Sequence, residues 1–138
     1  MTNKLLILSI FAAMSTASIH AQERINMKVN VPFSFHVGKT TLPAGIYTVR
    51  SHEASFGLLT IKGQSDGGIN IGTIPNSTLH PSELGKVVFQ KYGDDYFLSQ
   101  VRAAHSTAVA TLRKTPQELE LIARGATTDQ TTLVARSK

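Results

Sequence analysis

From Ile25 onward the chain alternates apolar and polar residues in short runs, and that two-residue period constrains its fold more than any other feature. Ile25, Met27, Val29 and Val31 alternate with Asn26, Lys28 and Asn30, the pattern of a strand with one face in a core and one in water. Pro32 interrupts, and Phe33, Phe35 and Val37 resume the alternation before Gly38-Lys39 turns the chain. In Leu42-Pro43-Ala44-Gly45 the proline opens a further turn and the glycine closes it. Residues 46–52 read as the next strand, with Tyr47 and Val49 on one face.

Residues 58–62 and 69–74 predict a hairpin across the glycines of 63–68, where positive φ angles suit a tight turn. Residues 86–92 and 96–102 predict a second hairpin across Gly93-Asp94-Asp95. Its arms are apolar on both faces, which places it centrally. Residues 107–112 form a small-residue strand, and 75–85 read as the longest loop. Residues 131–135 have strand composition and end the chain either as an edge strand or as a threonine-rich tail. Short strands punctuated about every 8–12 residues predict an all-β, mainly antiparallel domain. The expectation is a small β-barrel or β-sandwich of about eight strands.

One helix is expected on that sheet, at about 115–124. Thr115 is a natural N-cap, Pro116 suits the first helical position, and Glu118 completes a capping box. Leu119, Ile122 and Ala123 line one face, Glu120 and Arg124 can pair, and Gly125 suits the C-terminal cap. So short a helix needs docking to be stable, so its apolar face is expected against the sheet.

Ahead of the domain, Met1 to Lys4 carries a positive charge, residues 5–14 (LLILSIFAAM) are uncharged and apolar, and 15–21 turn small and mildly polar. These are the parts of a secretory signal peptide. The apolar run is shorter than the about 20 residues that cross a bilayer. The expectation is a cleaved leader at 1–21, with Ala21 favoured over Ala17 before the cut. One β-rich domain over 22–138 would then be exported to the periplasm or secreted. The chain has no cysteine, so no lipid-bearing cysteine and no disulfide supports it, and the core must suffice. Of 138 residues, removal of 1–21 leaves 117, enough for one core.

Removing Lys4 with the leader leaves 13 Lys plus Arg against nine Asp plus Glu, a formal charge of +4. The cations are scattered singly, with only Arg113-Lys114 adjacent. That argues against a nucleic-acid surface, which needs clustered cations. It reads as a solvated surface with at most weak attraction to anionic polysaccharide or lipid.

Motifs that imitate chemistry fail on context. Gly63-Gln64-Ser65-Asp66-Gly67 matches G-x-S-x-G, with Asp94 or Asp95 and His105 following in order. A nucleophile elbow requires a helix after the turn, and here Ile69-Asn70-Ile71 has β composition. Tyr92-Gly93-Asp94-Asp95 copies a polymerase metal hairpin but lacks the surrounding chain. His36, His52, His80 and His105 show no chelating spacing, and no carboxylates are paired for acid–base work. No catalytic residue, metal ligand or cofactor is therefore expected. An enzyme would need distant residues such as His52, His105, Asp94 and Tyr96 to converge.

The runs 31–38 (VPFSFHVG), 42–49 (LPAGIYTV) and 87–98 (VVFQKYGDDYFL) resemble a large group of small exported soil-bacterial proteins of uncharacterised role. The order of these runs, followed by a glutamate-rich helix, spans most of 29–124. The resemblance implies no activity or cofactor, and the matching residues are apolar strand positions and turn glycines. Three functions are open: a non-catalytic binding or structural module of the envelope, a ligand carrier with a β-barrel cavity, and an enzyme. If a surface binds, exposed aromatics are the expected anchors: Phe56, Tyr47, Tyr92 and Tyr96.

Overall fold

A computed structural model describes residues 25–52, 57–65 and 67–137. The expected leader lies outside them. The domain is mainly β with one short helix. Its strands are β1 (Asn26–Val31), β2 (Phe35–Val37), β3 (Thr40–Leu42), β4 (Gly45–Ser51), β5 (Leu58–Lys62), β6 (Ile69–Gly72), β7 (Ile74–Ser82), β8 (Gly85–Tyr92), β9 (Asp95–Arg102) and β10 (Ser106–Thr111). Helix α1 (Pro116–Ala123) follows, and β11 (Thr128–Ser137) ends the fold. The described residues thus form eleven strands where about eight were expected.

The strands form one curled, half-barrel sheet in the order β3-β2-β9-β8-β11-β1-β4-β5-β6. All pairings are antiparallel except β2 with β9, which meet in parallel at His36 and Phe97. The sheet is therefore mixed. β9 is shared along its length: beyond the contact with β2, residues 100–102 pair with β10, which also carries β7.

Three expectations are corrected. Residues 75–85 hold most of β7 rather than a long loop. Nearly every β7 side chain is exposed, so no apolar alternation marks it, and only its pairing with β10 makes it a strand. Pro75 and Pro81 blunt its outer edge against further pairing. The C-terminal segment is neither edge nor tail. β11 pairs with β8 from Thr128↔Tyr92 to Ala135↔Gly85 and with β1 at Met27↔Ser137 and Lys28↔Arg136, joining the two halves of the sheet.

The helix forms as expected but docks differently. Thr115 and Glu118 make the reciprocal capping box, and Gly125 (φ 76) ends the helix with amides returning to Ile122 and Leu121, a Schellman motif. Leu119 and Ile122 remain 53% and 43% exposed, whereas Glu118 is buried. The helix rests on its first turn, because the segment 112–118 covers the outer face of β8 and β9. There Lys114 Nζ donates to the Tyr92 hydroxyl at 3.1 Å, and the Tyr92 and Phe97 rings meet edge to face.

The core fills the concave side. β1 contributes Met27, Val29 and Val31, β4 Tyr47 and Val49, β5 Leu59 and Ile61, β8 Val87 and Phe89, and β9 Leu98 and Val101. A relay of rings crosses it. Tyr47 meets Phe35 edge to face at 5.1 Å, Phe35 meets Phe89 at 5.3 Å, Phe89 meets Phe33 at 5.1 Å, and Phe33 stacks on Tyr96 at 3.7 Å. Each such pair adds about 0.5–1.5 kcal/mol beyond the area it buries.

The curl brings distant strands together. Gly38, in the β2–β3 turn, sits so close to β6 that a Cβ there would lie 2.8 Å from Ile71 Cδ1. The Tyr47 hydroxyl donates to the Pro43 carbonyl at 2.6 Å, pinning the turn into β4.

Candidate functional site: a cationic groove on the outer sheet face

Strand parity decides which side chains leave the core. On β1, β4 and β5 the inward positions are apolar except for the buried Ser51, so Lys28, Thr48, Arg50, Thr60 and Lys62 all point outward. Register then decides which of them are neighbours. Lys28 lies opposite Thr48, and Thr48 opposite Lys62. In the next row Asn26 lies opposite Arg50, and Arg50 opposite Thr60. On its other side Lys28 faces Arg136 of β11. Four cations that are scattered along the sequence therefore share one face of four adjacent strands. The scattered charge expected from the sequence holds along the chain but not in space.

This face carries a groove of about 760 Å³, bounded by Ile25 and His52 at one end and by Ile46 and Gln64 at the other. That volume is in the range of ligand sites. No carboxylate is among its described lining residues. The ion pairs among the described residues, His36 with Asp95 and Arg124 with Glu120, lie elsewhere. Among the described residues, Lys28, Arg50 and Lys62 thus have no carboxylate partner. One flank is ordered by hydrogen bonds. The Thr60 hydroxyl donates to Asn70 Oδ1 at 2.6 Å, so it accepts from His52 Nε2, which fixes the proton on that nitrogen.

The interior offers no comparable space. The void between Val29, Phe35, Val49, Phe89 and Leu98 is about 10 Å³, at the lower limit for one water.

The aromatic anchors expected at the surface fall elsewhere. Tyr47 and Tyr92 are 5% and 1% exposed. Both are core rings, because their strand parity points them inward or beneath the 112–118 segment. Tyr96 is half-buried, stacked on Phe33 with Lys91 Nζ 5.4 Å from its ring. Phe56 lies outside the described residues. The residues an enzyme would need do not converge. Asp94 precedes β9 and His105 follows it, and eight residues of strand separate them by about 25 Å. His52 lies beyond β4, in the other half of the sheet, and Tyr96 opens β9. Ser65 sits exposed in the β5–β6 connection, and Gly93-Asp94 is the two-residue turn between β8 and β9. Among the described residues no three His, Asp or Glu side chains gather as metal ligands.

A second polar cluster lies where α1 meets the sheet. Burial pushes the Glu118 carboxyl above the usual carboxylate range, opposed by the Thr115 amide and by the charges of Lys114 and His36. Glu118 accepts from Thr115 N at 2.8 Å, and His36 stacks on Phe97 with Nδ1 2.9 Å from the Thr41 hydroxyl. Every group there has a packing or capping partner, and no concavity opens onto it. It is a structural joint.

No family model matches the chain, and no curated protein or solved structure matches it. Among the described residues no helix is long and apolar enough to cross a membrane.

Proposed function

We propose that the chain is exported behind its 1–21 leader and that the mature domain is a non-catalytic binding module of the periplasm or cell envelope. Its ligand surface is the outer face of β1, β4 and β5. The observation that carries this reading is the placement of space: about 760 Å³ outside, over cations that pair with no described carboxylate, against about 10 Å³ inside. A carrier of the barrel type needs the reverse, an interior that side chains leave open.

The test is to express the full chain in a bacterium and recover the product from the periplasm. Its intact mass reports whether the leader has been removed before Gln22. The isotopically labelled product is then titrated with soluble envelope polymers and followed by amide NMR. Shifts at Thr48, Arg50, Thr60 and Lys62 support the surface site. Shifts confined to Val49, Leu59, Ile61 and Leu98 would favour an interior ligand and refute it.

A further inference from the structure

We infer that the groove on β1, β4 and β5 binds a linear acidic polysaccharide, an inference that rests on the binding-module reading. The first argument is charge. Lys28, Arg50 and Lys62 line the groove with no described carboxylate beside them, and Arg136 extends the row. Such a surface attracts anions at a range set by salt.

The second argument is spacing. Lys28 and Lys62 are separated by Thr48 in one cross-strand row, which puts their Cα atoms about 10 Å apart. That is the span of two linked pyranose rings. Arg50 stands between Asn26 and Thr60 in the adjacent row. Anchoring charges thus alternate with neutral hydrogen-bonding groups. A uronic-acid polymer, in which the carboxylate of every second ring can meet a lysine and every ring offers hydroxyls, presents the complementary spacing.

The third argument sets other polyanions aside. A nucleic-acid strand is held by stacking on aromatic rings as well as by charge. The described lining has no Phe, Tyr or Trp, and His52 is engaged with Thr60. A bilayer surface is met by protruding cations with apolar anchors between them. Here the cations border a concavity with threonines and asparagine between them, and the exposed Ile46 stands at one end rather than among the cations.

The processed full-chain product is titrated by calorimetry with polygalacturonate, neutral dextran, phosphatidylglycerol vesicles and single-stranded DNA. Polygalacturonate is expected to bind, dextran not. The K28Q/K62Q double variant is expected to weaken binding about tenfold. Raising salt from about 50 to about 300 mM should weaken the wild type more than the variant. R113Q/R124Q, which removes two exposed cations of the segment around α1, should bind as the wild type does. All substituted positions are exposed, and unchanged thermal unfolding verifies that each variant is folded. Binding of vesicles or DNA through Lys28 and Lys62, with polygalacturonate silent, would overturn the ligand class and leave the groove as the site. Binding of no polymer, or binding indifferent to K28Q/K62Q, would overturn the groove itself and the binding-module reading with it.

Discussion

The turn at Gly38 tests the curl of the sheet directly. Gly38 has φ 58, a region where a residue with a Cβ costs about 1–2 kcal/mol. Gly38→Ala adds a second, separable cost. Its Cβ would lie 2.8 Å from Ile71 Cδ1, a distance real Cβ atoms do not tolerate. The obstructing atom ends a flexible side chain, so Ile71 can turn away for about 0.5–1.5 kcal/mol. The total expected for G38A is about 1.5–3.5 kcal/mol, a large share of the about 5–15 kcal/mol that stabilises such a domain. Ile71→Val removes the obstructing methyl and by itself costs about 0.5–1.5 kcal/mol. In the double variant the steric part of the G38A cost vanishes while the backbone part remains. Urea denaturation of the four proteins should therefore give a double variant more stable than additivity predicts, by about 0.5–1.5 kcal/mol. Gly38 and Ile71 are 33 positions apart on β2–β3 and β6. Costs that simply add, within about 0.5 kcal/mol, would mean the turn does not touch β6, and the curled arrangement would be wrong.

Three other outcomes follow from the packing. Phe89→Ala empties a fully buried site between Phe33 and Phe35 and should cost about 3–5 kcal/mol in the same denaturation assay; a loss below about 1 kcal/mol would contradict a filled interior. Glu118→Gln keeps the capping acceptor and removes a buried charge. The Glu118 pKa is raised, so its contribution is fully present below the ordinary carboxylate value and lost as pH rises through the raised one. E118Q should thus gain on the wild type as pH rises from the ordinary carboxylate value through the raised one, and a pH-independent difference would refute the assignment. Arg136→Glu turns a like-charge pair with Lys28 into an opposite one and should stabilise by about 0.2–1 kcal/mol in low salt, shrinking as salt is added.

The sequence was most legible where neighbours in the chain are neighbours in the fold. The β8–β9 hairpin, the β5–β6 hairpin and the capped helix all follow from residues within one turn of each other. The recurring runs are explained in the same way. Phe33 and Phe35 belong to the ring relay, Tyr47 ties down Pro43, and Gly93 (φ 61) makes the turn before Tyr96. Pairings between distant segments were not legible. Nothing local tells β11 to lie between β8 and β1, or β7 to be a strand at all. The groove was missed for the same reason. Alternation marks Lys28, Arg50 and Lys62 as outward, yet only the registers Met27↔Val49 and Val49↔Ile61 make them adjacent.

The local choices in this chain agree with its fold almost everywhere: caps, turns, parity and ring contacts all favour the same structure, as a chain without disulfides requires. The exceptions include Lys86 opposite Arg102 on β8 and β9 and a second like-charge pair on the outer face of β1. Lys28 stands directly opposite Arg136, where like charges oppose pairing, and neither has an ion pair among the described residues. A surface selected for stability alone would place a carboxylate at one of those positions, as Glu120 and Arg124 do on the helix. Where a sequence follows the rules of folding at most levels, a departure from them points to another demand on the position. The Lys28–Arg136 departure coincides with the face that carries the groove. A strand pair weakened by its own charges is the cost of keeping that face positive, and the proposed polyanion would offset it by supplying a counter-charge that no described residue provides.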